Sequence, residues 1–161
     1  MTYFPDLSLY SYQSSYMASG LLNIGWLSSD YPFSKAVPSR EFVDRLHLFC
    51  EVSFVQTRGL HLCDFCLGQQ HGEIIITSSG LLLGGAEIRV LDESGVIYCA
   101  PNLVYHYVQE HHYSPPIEFE KAVMSCPLPS TAEYSAALLE IGLKGTQTLR
   151  KSPNAAAQLD N

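Results

Sequence analysis

Basic residues are scarce in this chain, with nine lysines and arginines among 161 residues, scattered rather than clustered. Phosphate contacts need clusters of them, so a nucleic-acid-binding surface is not expected. Long apolar runs are also missing. Stretches such as Leu81-Leu82-Leu83 fall far short of the roughly 20 residues a membrane helix needs, so no membrane span is expected. The N-terminus, Met1-Thr2-Tyr3-Phe4-Pro5-Asp6, shows no basic region followed by an apolar stretch, and the expectation is a cytoplasmic protein without a secretory leader. Its five cysteines are odd in number and unevenly spaced, which reads as reduced thiols rather than a disulfide framework. There is no G-x-S-x-G for a nucleophilic serine, and Gly84-Gly85 lacks the lysine of a phosphate-binding loop.

What is present is core material. Hydrophobic residues make up 47% of the chain and charged residues only 16%, with a net charge of -7. That suits one domain, placed at 1–143, followed by a flexible C-terminal tail over 144–161. Residues 1–36 are rich in aromatics without a sustained period, and are expected to wrap over the core with a short strand within 21–27. Ser39 caps a first helix whose stripe is Phe42, Leu46, Phe49 and Cys50. Glu73 to Thr77 reads as a β-branched strand. Ala86 to Leu91 and Val96 to Cys99 read as a hairpin across Asp92-Glu93-Ser94-Gly95. Pro101 is read as the start of a second helix, Pro115-Pro116 as the start of a third, and Ser130-Thr131-Ala132-Glu133 as the cap of a fourth. The predicted class is α+β: a small antiparallel sheet of three or four strands with three to four helices, an irregular aromatic N-terminal segment and a zinc clip.

The clip is predicted from His61-x-Cys63-x-x-Cys66. Two thiolates three positions apart converge on one soft ion, and a nearby imidazole adds a third ligand. Cys63 and Cys66 are the firm pair, with His61 and His106 completing the set; His71, His112 and Cys99 are the alternatives for the last position. The His111-His112 pair contributes little on this reading, because adjacent helical residues point about 100° apart. A closed structural site is favoured over a catalytic one. Other chemistries are weaker. A redox C-x-x-C needs a βαβ context that is not seen. His71-Gly72-Glu73 spells a deaminase H-x-E, yet the cysteines precede it instead of following. A hydrolase would hold an open zinc on His61, Cys63 and Cys66, with Glu73 or Glu87 as base.

Several stretches, taken in order, carry a resemblance. They are Thr2-Tyr3-Phe4-Pro5-Asp6-Leu7-Ser8, Leu22-Asn23-Ile24-Gly25-Trp26-Leu27, Arg58-Gly59-Leu60-His61-x-Cys63-x-x-Cys66 and Ala86-Glu87-Ile88-Arg89-Val90. Ala100-Pro101-Asn102-Leu103-Val104-Tyr105-His106-Tyr107-Val108 and His112-Tyr113-x-Pro115-Pro116-x-Glu118-Phe119 follow. Over residues 2–124 the chain resembles a family of small bacterial proteins of unknown function. The resemblance implies that the cysteine pair and His106 belong to one recurring pattern, and that the protein is bacterial and cytosolic. The resemblance implies no activity; with no catalytic constellation, an acidic balance and an aromatic N-terminal segment, the expected function is a non-catalytic protein with a structural zinc, acting through a protein partner in the manner of an immunity protein or antitoxin. The alternative is a zinc-dependent hydrolase.

Overall fold

The computed structural model describes residues 2–12, 20–57, 59–66, 74–140 and 147–148. His71 and Glu73 lie outside the described residues, as does the expected tail apart from 147–148. The elements run β1 (Leu21–Asn23), α1 (Arg40–Cys50), β2 (Val52–Ser53), β3 (Glu87–Leu91), β4 (Ile97–Pro101), α2 (Val104–His111), α3 (Ile117–Ser125), α4 (Ala132–Glu140) and β5 (Gln147–Thr148). The fold is α+β, as the residue patterns predict. Among the described residues, no helix is long and apolar enough to cross a membrane.

The β3–β4 hairpin is the centre of the fold. Asp92 builds its turn: one carboxylate oxygen accepts from the backbone N–H groups of Ser94 and Val96 and from the Ser94 hydroxyl. Such an Asx-type turn lets the chain reverse without a partner strand to guide it. Strand β4 is buried from end to end and takes β3 antiparallel on one side. On the other side it takes β1 in parallel, with Leu21 opposite Ile97 and Asn23 opposite Cys99. The three-stranded sheet, in the order β1-β4-β3, is thus mixed rather than antiparallel throughout. A hairpin announces itself through its turn, whereas a parallel partner more than seventy residues away has no local signal. A separate two-residue pairing joins β2 to β5 antiparallel.

The helices follow from their caps and stripes. The Ser39 hydroxyl accepts the Phe42 N–H at the start of α1, and Phe42, Leu46, Phe49 and Cys50 are its buried residues. Thr131 accepts from the Tyr134 N–H at the start of α4. Pro101 departs from the expectation: it is the last residue of β4, paired with Glu87, and α2 begins only at Val104. A proline is compatible with a strand end as well as a helix start, because both leave its missing N–H without cost. Of the predicted 73–77 strand, the described residues 74–77 show a single bridge, Ile76 to Leu82, in a tight turn outside the main sheet. Ile74 and Ile76 are exposed there, so β-branching reflects an extended local backbone and not burial.

The N-terminal segment does wrap the core. Phe4 bridges to Trp26 and Leu9 to Leu22. Trp26 is buried and its indole N–H donates to the Cys99 carbonyl, while Tyr10 is buried with its hydroxyl on Glu87. The polar face of β3 is consequently not solvated. Glu87 and Arg89 are both buried, 2.6 Å apart, and the guanidinium lies over the rings of Tyr10 and Phe54.

Candidate metal centre

The loop that carries the cysteines has little regular structure and is positioned by backbone contacts. The His61 N–H donates to the Gly84 carbonyl at 2.7 Å, and the Thr57 N–H donates to Gly85. Gly84 in turn donates its N–H to the side-chain oxygen of Asn102, a fully buried residue just ahead of α2. The Asn102 N–H donates to Ala86. One asparagine therefore ties the loop's anchor to the approach of α2. Gly84 has a φ of +91°, and a β-carbon there would overlap the His61 carbonyl oxygen. Gly84→Ala is expected to cost about 1–3 kcal/mol through backbone strain alone. It should also displace the cysteine loop, read as a lower urea midpoint together with less bound metal. An unchanged midpoint would show that the turn relaxes freely.

Four side chains converge above this anchor. Cys63 and Cys66 come from the loop, His106 from the body of α2 and His111 from its last turn, and their ligand atoms all lie within 4.8 Å of one another. Cys63 Sγ is 3.2 Å from His111 Nε2, and Cys66 Sγ is 3.2 Å from His106 Nε2 and 3.4 Å from His111 Nε2. The two Nε2 atoms are 3.1 Å apart. A tetrahedral ion with bonds of about 2.3 Å to sulfur and 2.0–2.1 Å to nitrogen has ligand–ligand edges of roughly 3.3–3.8 Å. Four of the six edges fall within a few tenths of an ångström of that figure and the other two are no longer than 4.8 Å, so the four residues are placed to hold a metal ion.

Electrostatics agree with this use. Burial, and secondarily the charge of neighbouring His111, lowers His106 to about 4. Burial also lowers His111. Both rings are therefore neutral and able to donate a lone pair near neutral pH. Burial pushes the Cys63 thiol up to about 12, the reverse of an activated redox cysteine. A cation binding there must displace the Cys63 proton. Phe65, between the two cysteines, covers the site: its ring is 5.5 Å from His111, 5.6 Å from Tyr107 and 5.2 Å from Phe33.

The remaining sequence candidates lie elsewhere. His61 is half-buried on the loop, tied through its backbone to Gly84, and its ring is not among the converging ligands. His112 is exposed in a left-handed conformation with φ 56°. Cys99 is buried in β4 opposite Arg89. Glu87, weighed as a catalytic base, is bonded to Arg89 and Tyr10. The fourth converging side chain is His111, which the sequence reading set aside. The available signal was its distance from His106, since C-x-x-C followed by H-x4-H has the ligand spacing of two-cysteine, two-histidine zinc sites. On a regular helix, residues five apart diverge by about 140°. Here α2 runs through His111, and the two imidazoles nevertheless meet, Nε2 to Nε2 at 3.1 Å; past them the Tyr113 N–H returns to the Tyr107 carbonyl across the left-handed His112.

No curated protein and no solved structure matches the chain. The model of one family, described as a domain of unknown function (DUF7919), matches residues 2–124, a stretch that includes both cysteines and both histidines of the site. Since that match covers well over half of the sequence, the chain belongs to the DUF7919 family.

Proposed function

We propose that Cys63, Cys66, His106 and His111 hold one zinc ion as a closed structural site, and that the protein is non-catalytic and acts by binding another protein. The observation that carries the first part is the mutual approach of the four ligand atoms within 4.8 Å. Two thiolates and two imidazoles in a tetrahedral arrangement suit zinc better than the oxygen-seeking cations. Four protein ligands leave no position for a reacting water. Support for protein binding is this closed ligand set together with the net charge of -7, which suits a basic partner of the kind an immunity protein or antitoxin covers.

One observation favours a second reading. A cavity of about 230 Å³ adjoins His106 and is lined also by Gln109, Glu110 and Thr77. In a hydrolase, Glu110 would face a water on a metal that had given up one protein ligand. Cobalt(II) substitution separates the two readings. The closed site is expected to take one equivalent, to show strong sulfur-to-cobalt charge transfer and tetrahedral d–d bands, and to ignore added azide. Bands that shift and lose intensity with azide would reveal an open position and favour the hydrolase. Absence of saturable cobalt or zinc binding would overturn the metal site itself.

A further inference from the structure

A second site lies beyond the metal centre, in the N-terminal wrap. A cavity of about 430 Å³ is lined by Tyr3, Phe4 and Phe33 together with Asp6 and Ser34. The Asp6 carboxylate is firmly oriented: one oxygen accepts the Gly25 N–H at 2.8 Å and the other the Tyr113 hydroxyl at 2.7 Å. Among the described residues it has no cationic partner within salt-bridge distance. Taking a carboxylate out of water without a counter-ion is costly, and the cost shows as an Asp6 carboxyl raised by burial. Aromatic faces attract cations for the same reason that they repel anions. The chain already demonstrates this at one wall, where the Lys35 ammonium lies 5.2 Å from the Phe33 centroid. Tyr3 is held as a wall by stacking on Tyr31 at 3.9 Å.

We infer that this cavity binds an organic cation of the ammonium or guanidinium class, with the charge over the Tyr3, Phe4 and Phe33 rings and facing Asp6. Its volume suits a choline-sized molecule or the end of a basic side chain. Two sources would supply that chemistry: a free quaternary ammonium compound, or a lysine or arginine side chain presented by a peptide.

The test is an amide-shift titration of the full chain with choline, with Nα-acetylarginine amide, and with 3,3-dimethylbutan-1-ol, the neutral isostere of choline. At least one cation is expected to saturate, with shifts concentrated at residues 3–6 and 32–35 and with affinity at least about tenfold above the neutral alcohol. Choline binding more tightly points to a free ligand, and the arginine amide binding more tightly points to a peptide. Asp6→Asn keeps an acceptor for Gly25 while removing the charge, and should weaken binding at least about tenfold. Because Asp6 also anchors the wrap, Tyr3→Leu serves as the second variant: it leaves both Asp6 hydrogen bonds intact and should weaken the cation while sparing the melting temperature. Equal binding of the neutral alcohol overturns the inference. So does a Tyr3→Leu protein that binds like the wild type, or the absence of saturation by either cation.

Discussion

His111→Ala is expected to empty the metal site and to lower the melting temperature by roughly 8–16 °C, while His61→Ala leaves both unchanged. The size follows from linkage. A ligand present at a thousand times its dissociation constant stabilises the native state by about 4.1 kcal/mol. In a chain of this length each kcal/mol moves the midpoint by about 2–4 °C. The effect is large because the ion would join the cysteine loop directly to α2, beyond the loop's packing and backbone contacts. The described loop is anchored through His61 to Gly84, and Phe65 packs against His111, Tyr107 and Phe33. Cys63 is wholly buried, so its release would expose the loop interior to water. Cys63→Ser should behave like His111→Ala. A strong chelator should reproduce the same shift in the wild type and add nothing to either variant. Full metal content in His111→Ala, with metal lost from His61→Ala, would return His61 to the ligand set and overturn the assignment drawn from the converging side chains.

How far this site could be read in the sequence depends on which step is considered. The cysteine pair needs no tertiary information, because C-x-x-C in an irregular loop converges by itself. His106 was recoverable as an imidazole near the start of a helix. His111 was legible only through its H-x4-H spacing from His106, a signal that the helical projection used for the stripe of α1 overrides, because it places residues five apart on different faces. In the structure the two side chains reach one point from α2, their Nε2 atoms 3.1 Å apart, and a projection of backbone positions does not register that side-chain reach. The fold divides in the same way. Ser39 and Thr131 mark their helices through side-chain caps, and Asp92 marks its turn. All three are local chemistry. The parallel docking of β1 on β4 and the single bridge within 74–77 are set by distant packing, which leaves no imprint on neighbouring residues. Alternation along β3 correctly signals a strand, but it implies that Glu87 and Arg89 face water. They do not, because Tyr10 and Phe54 cover that face.

That buried face carries the second large effect. Glu87→Gln and Arg89→Met are each expected to cost about 3–5 kcal/mol, or roughly 6–20 °C in melting temperature, because either change leaves the other charge buried and unpaired. Arg89 is 1% exposed and Glu87 3%. Their ion pair is completed by the Tyr10 hydroxyl, which donates to the Glu87 carboxylate at 2.9–3.0 Å. Arg89 is flanked further by the Tyr134 hydroxyl, bonded to its backbone carbonyl at 2.7 Å. The cluster is not fully satisfied, since the Arg89 Nε finds no acceptor among the described residues. An incompletely satisfied buried pair contributes less net stability than its removal one residue at a time suggests. Replacing all three partners by apolar groups of similar volume (Tyr10→Phe, Glu87→Leu and Arg89→Met) is therefore expected to restore most of the stability lost in either single variant. Urea unfolding of the two single variants and the triple variant decides the matter. Single losses below about 1 kcal/mol would mean the charges are solvated and β3 is not covered as described. A triple variant no more stable than the single variants would mean that the ion pair fixes the docking of the N-terminal segment onto β3, a specificity that apolar packing cannot replace.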